Sequence, residues 1–127
     1  MKQFNFFVPG PLPGMNEIIK ASKSRYGKTF AYSLMKRKWT KKVADSIFMH
    51  APRNVPKFDC VKVMFNWVCK DRRMDPDNIA AGKKFVFDGM VKAGLIPNDN
   101  WRHVHSWDDF FMVYDSPGVY VSVTEKA

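Results

Sequence analysis

The spacing of apolar residues divides the chain into six regular elements. The run FNFFV, Phe4 to Val8, reads as a short strand, closed by Pro9, Gly10, Pro11, Pro13 and Gly14, which sustain neither a helix nor a ladder. Residues from about Lys20 to Phe30 are basic and polar with Gly27 among them, and read as a loop. A helix follows from an N-cap at Ser33. Met35, Trp39, Val43 and Ile47 recur every four residues with Ala44 and Phe48 beside them, while the other face carries Lys36, Arg37, Lys38, Lys41 and Lys42 against a single Asp45. Val61, Val63, Phe65 and Trp67 then alternate with Lys62, Met64 and Asn66, the pattern of a half-buried strand. A second helix is predicted from about Asn78 to Ala93, with Gly94 as its stop. Turning 100° per residue puts Ile79, Gly82, Val86, Gly89, Met90 and Ala93 on one face and Asp77, Ala81, Lys84 and Asp88 on the other. Two more strands, about Trp101 to Trp107 and Gly118 to Val123, complete the order strand, helix, strand, helix, strand, strand. That order predicts one α+β domain over residues 1–127, with two main helices packed on a small mixed β-sheet.

Composition narrows the partners. With 127 residues, 46% hydrophobic and 15% aromatic, the chain has material for one core without covalent staples. Cys60 and Cys69 make neither a disulfide framework nor a four-ligand zinc site, and read as small packing residues. No apolar run reaches the roughly 18 residues of a membrane-spanning helix. The N-terminal MKQFNFFVPGPLPG is too short in its apolar part and too Pro-rich for a signal peptide, so a reducing, cytoplasmic setting is expected. Lys and Arg number 21 against 12 Asp and Glu, a net charge of +9. That excess favours a polyanionic partner, nucleic acid ahead of an anionic membrane.

Candidate chemistry lies with the acids. Seven of the 12 fall between Asp71 and Asp109. Asp75 and Asp77 flank Pro76, which holds Asp75 extended, so the two carboxylates point to one side and repel unless a cation lies between them. A hard ion such as Mg²⁺ accepts that arrangement, completed by water and a substrate phosphate oxygen. The Pro97–Asn100 turn could return Asp99 toward them after the helix. Asp75-Pro76-Asp77-Asn78 also makes a good turn with Asp77 or Asn78 capping the helix, and Asp99 a plain turn residue. Lys84 could stabilise charge developing on a phosphate, or simply pair with Asp88 one turn on. His103 and His105 lack a third ligand at diagnostic spacing and read as a strand face. Lys20, Lys23, Arg25 and Lys28, the helix cations Lys36, Arg37 and Lys41, and Arg72 and Arg73 form a one-signed set suited to tracking phosphates. Tyr26, Phe30 and Tyr32 lie among them as stacking or packing residues. No GxxxxGK[ST], GxSxG or HExxH motif occurs.

The run RRMDPDNIAAGKKFVFDGMVKAGLIPNDNW resembles the signature of the RusA family of Holliday-junction resolvases, in its bacteriophage and prophage branch. VPGPLPGMNE resembles the Pro-rich segment that follows the family's first strand. The resemblance implies a Mg²⁺-dependent endodeoxyribonuclease, with Mn²⁺ expected to substitute, acting in the bacterial cytoplasm as a homodimer on four-way or branched DNA. It implies paired nicks that leave 5′-phosphate and 3′-hydroxyl ends. The family's metal-binding and catalytic aspartates fall on Asp75, Asp77 and Asp99, and its catalytic lysine on Lys84. Family members place that lysine four residues after the second Asp, where this chain has Ala81. Aligning on Phe87-Asp88 brings Lys84 opposite it, with Lys83 the second candidate. Asn98 stands where many members carry another acid. Two alternatives from other classes are a non-catalytic basic nucleic-acid-binding module, with the acids serving as caps and turns, and a metal-dependent nucleotide phosphohydrolase.

Overall fold

The computed structural model describes residues 2–23 and 28–127. Its elements are β1 (Gln3–Pro9), α1 (Met15–Ser22), α2 (Lys28–His50), β2 (Val61–Cys69), α3 (Pro76–Ala80), α4 (Lys83–Lys92), β3 (Val104–Val113) and β4 (Gly118–Glu125). They form an α+β fold around a mixed four-stranded sheet in the order β1-β4-β2-β3. β4 runs antiparallel to both neighbours, and β2 and β3 run parallel. A parallel pair needs a crossover, and α3 and α4 supply it. That βαβ unit carries most of the candidate residues.

Period-two alternation makes the sheet one-sided. Phe6, Val8, Val61, Val63, Phe65, Trp67, Val119, Val121 and Val123 are buried under the helices. Phe65 and Trp67 stack at 5.6 Å between ring centroids. The opposite face presents Met64, Phe110, Met112 and Tyr120 to solvent, with Phe7 packed on Tyr120 at 4.5 Å. α2 buries Trp39, Val43, Ala44 and Ile47 as the four-residue spacing requires, whereas Phe48 lies exposed. α2 and α4 meet at Gly89, where a Cβ would fall 2.3 Å from Val43 Cγ1. Only a residue without a side chain lets the two backbones approach that closely.

Several boundaries differ from the sequence expectation. α2 starts at Lys28, so Ser33 is internal rather than an N-cap; no Gly or Pro between Lys28 and Ser33 interrupts the helix. The expected loop from Lys20 to Phe30 is therefore helical at both ends, and its residues 24–27 lie outside the described ones. α1 lies outside the expected elements: Met15, Ile18 and Ile19 mark one helical face, but over eight residues next to a Pro-Gly run the period does not repeat. The second main helix begins earlier, with Asp75 as N-cap and Pro76 in its first turn, and is interrupted at Ala81–Gly82. There the bonds tighten to Gly82 N–H on Ile79 O, Lys84 N–H on Ala81 O and Phe85 N–H on Gly82 O. A Cβ on Gly82 would lie 3.1 Å from Leu12 and 3.3 Å from Trp67, so this turn is pressed onto the core.

Gly94 stops α4 as expected. Its φ is +80°, and Leu95 N–H reaches Met90 O at 2.9 Å while Gly94 N–H reaches Val91 O at 3.0 Å, a Schellman closure. β3 starts at Val104 rather than Trp101, because Asn98 and Asn100 fold the preceding segment. Their side-chain oxygens accept bonds from Asn100 N–H and Arg102 N–H. β3 then continues through Asp108, Asp109 and Phe111 to Val113, pairing along the whole of β2. Among the described residues, no helix is long and apolar enough to cross a membrane.

Candidate active site

The βαβ crossover encloses an open cleft of about 590 Å³ between α3, the start of α4 and β3. Asp77, Lys83, Lys84, Asp99, Trp107 and Asp109 line it, with Ala80, Ala81, Phe87 and Val104 as its apolar wall. The interruption at Gly82 restarts the helix at Lys83, which places two consecutive lysines at the cleft.

Lys83 is held firmly. Asp109 stands beside Phe65 in the β2–β3 register. Its Oδ1 accepts the indole N–H of Trp67 at 2.8 Å, and its Oδ2 meets Lys83 Nζ at 2.5 Å. The ammonium also lies 5.0 Å from the ring centre of Trp107 and 5.8 Å from that of Phe65. Lys83 and Asp109 are only 19% and 21% exposed, so the charges sit in a semi-apolar box in which each satisfies the other. Trp67, buried at the bottom, has an N–H that needs an acceptor, and Asp109 provides it.

Lys84 differs from its neighbour. It is 53% exposed and lies 3.7 Å from Asp88 Oδ1, a loose contact one turn along α4. The second oxygen of Asp88 is buried without a hydrogen-bond partner. Lys84 thus keeps an ammonium free to turn into the cleft, anchored by a weak contact that a phosphate could displace.

The structure brings Asp77 and Asp99 to one cleft and places Asp75 outside it. Asp77 Oδ1 accepts Asn78 N–H at 2.9 Å, and Asp77 and Asp99 are both exposed. Asp75 lines a separate pocket of about 300 Å³ with Asp71, Arg72, Met74 and Phe111, which shares no lining residue with the cleft. Among the described residues, no three His, Cys, Asp or Glu side chains gather closely enough to hold a metal ion by themselves. The exposed carboxylates of Asp77 and Asp99 fit the open type of Mg²⁺ site, in which one or two carboxylates are completed by water and substrate oxygens. They do not form a cage of three protein ligands.

Of the cations assigned to DNA, Lys20 and Lys23 are exposed on α1 and at its end, and Lys36, Arg37 and Lys41 on α2. Lys41 pairs with Asp45 at 2.7 Å. Arg72 and Arg73 are exposed beside the Asp75 pocket, with Arg73 Nε 3.7 Å from Asp71. Arg25 and Tyr26 lie outside the described residues, and Lys28 is described by its backbone alone.

His103 Nδ1–H donates to the carbonyl of Asp59 at 2.6 Å, and His105 is exposed at the start of β3. Cys60 and Cys69 are free and half-buried. Burial, with Asp71 nearby, pushes the Cys69 thiol above its ordinary pKa.

Asp109, Trp67 and Trp107 carry no role in the sequence reading. The signals available were an acid two residues from Trp107 in a strand-forming run, hence on the same face, and a core Trp needing an acceptor.

No family model matches the chain, and no curated protein is matched by it.

Proposed function

We propose that the protein is a Mg²⁺-dependent, structure-specific endodeoxyribonuclease that resolves four-way and other branched DNA by paired nicks, leaving 5′-phosphate and 3′-hydroxyl ends. The observation that carries the reading is the cleft of the βαβ crossover. There two exposed carboxylates, Asp77 and Asp99, face two lysines, in a chain of net charge +9. The resemblance of the DPDN…KK…FDG…NDN run to RusA resolvases supports the same reading.

Asp77 and Asp99 would hold the Mg²⁺, which supplies Lewis-acid polarisation of the phosphate and an activated water. Asp75, the N-cap on the other side of Pro76, belongs to the proposed set. The Asp75 side chain makes no capping hydrogen bond, so loss of nicking in the isosteric Asp75→Asn, with an unchanged thermal melt, would report a ligand role rather than a structural one. Lys84, the more exposed lysine, would face the phosphate directly and stabilise charge on a non-bridging or leaving oxygen. Lys83, bound to Asp109, would shape the cleft floor. The cations of α1 and α2, with Arg72 and Arg73, would track backbone phosphates with little sequence readout. A homodimer would set two such clefts on the two equivalent strands of a junction. The solvent-facing side of the sheet, with Met64, Phe110, Met112 and Tyr120, offers a second copy an apolar surface to cover.

The test is a panel of four-way, three-way, flap and linear DNAs incubated with Mg²⁺ or EDTA. Nicks at the branch point in Mg²⁺ alone are expected, with Lys84→Ala reducing rate more than affinity. Should Lys83→Ala do so instead, the roles of the two lysines exchange. The lack of a three-ligand cluster among the described residues favours one other reading, a basic module that binds branched DNA without cutting it. Binding to the panel with no Mg²⁺-dependent product would select it.

A further inference from the structure

Beyond the acid cleft lies a second groove of about 340 Å³, lined by Asp99, Asn100, Trp101, Val104, His105 and Trp107. Asp99, Val104 and Trp107 line both, so the two spaces adjoin. We infer that this groove, walled by Trp101 and Trp107, seats one unpaired nucleobase of the DNA beside the phosphate to be cut. The inference rests on the nuclease reading for what happens at that phosphate, but the base-binding step stands on the groove alone.

Trp101 is 99% exposed, so almost none of a large aromatic side chain is used for packing. It is nevertheless presented by a braced turn. Asn98 Oδ1 accepts Asn100 N–H, Asn100 Oδ1 accepts Arg102 N–H, and Asn100 O accepts the N–H groups of His103 and Val104. Among the described residues no other aromatic ring stacks on Trp101. Trp107, 47% exposed, is fixed from beneath by Phe87 at 5.6 Å and by the Lys83 ammonium. The site thus has one aromatic wall fixed by packing, Trp107, and a second, Trp101, whose backbone turn is braced while its indole packs on nothing until a ligand arrives.

The surroundings select the occupant. Asn100 and His105 offer polar groups to a base edge or a sugar, and Arg102, exposed next to Trp101, offers a cation to a phosphate. A lipid surface would want apolar neighbours, and Trp101 instead sits among Asp99, Asn100, Arg102 and His105. Stacking on indole is tolerant of sequence because every base has a π-face. A base inside a duplex has both faces covered by its neighbours, so the groove takes one that is unpaired or easily unstacked. The exchange point of a branched DNA supplies such bases.

The test measures binding of the whole protein in EDTA, where no cutting occurs. The probes are a single strand of about eight thymidines, within the usual site size, a duplex of equal length, and a four-way junction with 2-aminopurine at the exchange point. Trp101→Ala is expected to weaken single-strand binding about ten-fold, the lower part of the range for one base–aromatic stack. It should also relieve the quenching of 2-aminopurine while leaving duplex binding unchanged, and Trp101→Phe should retain most of the effect. A thermal melt matching wild type is expected, since Trp101 packs against so little. Unchanged single-strand binding, or an equal loss for single strand and duplex, would each overturn the inference. Absence of Mg²⁺-dependent nicking would instead remove the nuclease reading and leave the base groove standing.

Discussion

Asp109→Ala is expected to destabilise the fold far more than a surface acid would. Asp109 joins a buried indole N–H at 2.8 Å to an ammonium at 2.5 Å. Leaving the Trp67 N–H without an acceptor costs about 1–3 kcal/mol. Breaking a buried ion pair costs about 3–5 kcal/mol. Lys83 is 19% exposed, however, and its long stem can carry the charge toward water, which reduces that cost to roughly 1–2 kcal/mol. The sum is about 3 kcal/mol, equivalent to about 10 °C in Tm for a domain of this size. Asp109→Asn keeps the shape and the acceptor for Trp67 but still strands the Lys83 charge, so it should cost only that part, roughly 1–2 kcal/mol. Urea unfolding gives the comparison directly, as a lower midpoint at an unchanged slope. Adding Lys83→Met to Asp109→Ala removes the stranded charge and should recover part of the loss. If Asp109→Ala and Asp109→Asn unfold at the same midpoint, the indole hydrogen bond contributes nothing. If neither differs from wild type, the network reasoning fails as a whole.

Gly89→Ala should cost about 1–3 kcal/mol by forcing α2 and α4 apart. Val43→Ala should not rescue it in urea melts, because the new Cβ would still lie 2.4 Å from Val43 Cβ. Full rescue would show that the helices slide rather than clash. Alkylation of Cys69 at mildly alkaline pH should be slower than that of an unstructured thiol, since burial raises its pKa. The linkage has a definite sign: the unfolded thiol ionises first, so the contribution of Cys69 to stability is intact below the ordinary thiol range and lost as pH rises toward the folded value. A pH-stability curve in which Cys69→Ala removes no alkaline decline would contradict that assignment. Binding to junction DNA should weaken steeply with salt if Lys20, Lys36, Arg37 and their neighbours touch phosphates. A flat salt dependence would count against them.

Much of the fold is legible because its elements bury one clean face. Trp39, Val43 and Ile47 mark α2, alternation marks β2, and Gly94 marks the end of α4. The missed features depend on contacts distant in sequence. The break at Gly82 follows from its approach to Leu12 and Trp67, which no local period encodes. α1 carries Met15, Ile18 and Ile19 on one face, but its eight residues are too short for that stripe to repeat. The expected strand ends at about Trp107, whereas β3 runs on to Val113 with Phe110 and Met112 pointing away from the helices, a stretch with no buried face to mark it.

The candidate site divides the same way. DPDN announces a helix start, and the structure puts the cap at Asp75. The lysine pair is visible as a pair, but only the fold separates Lys83, held by Asp109, from the more exposed Lys84. Asp109 is one of the seven clustered acids in the sequence, but its partners come from β2 and α4. That pairing required the register of β2 against β3.

The most direct test of the nuclease account is single-turnover nicking of a four-way junction by wild type, Asp77→Asn and Asp99→Asn in Mg²⁺, with junction affinity measured in EDTA on the same preparations. The account predicts affinities within a few-fold of wild type and nicking slowed roughly hundred-fold or more in each variant. Nicking at the wild-type rate in both variants would contradict it.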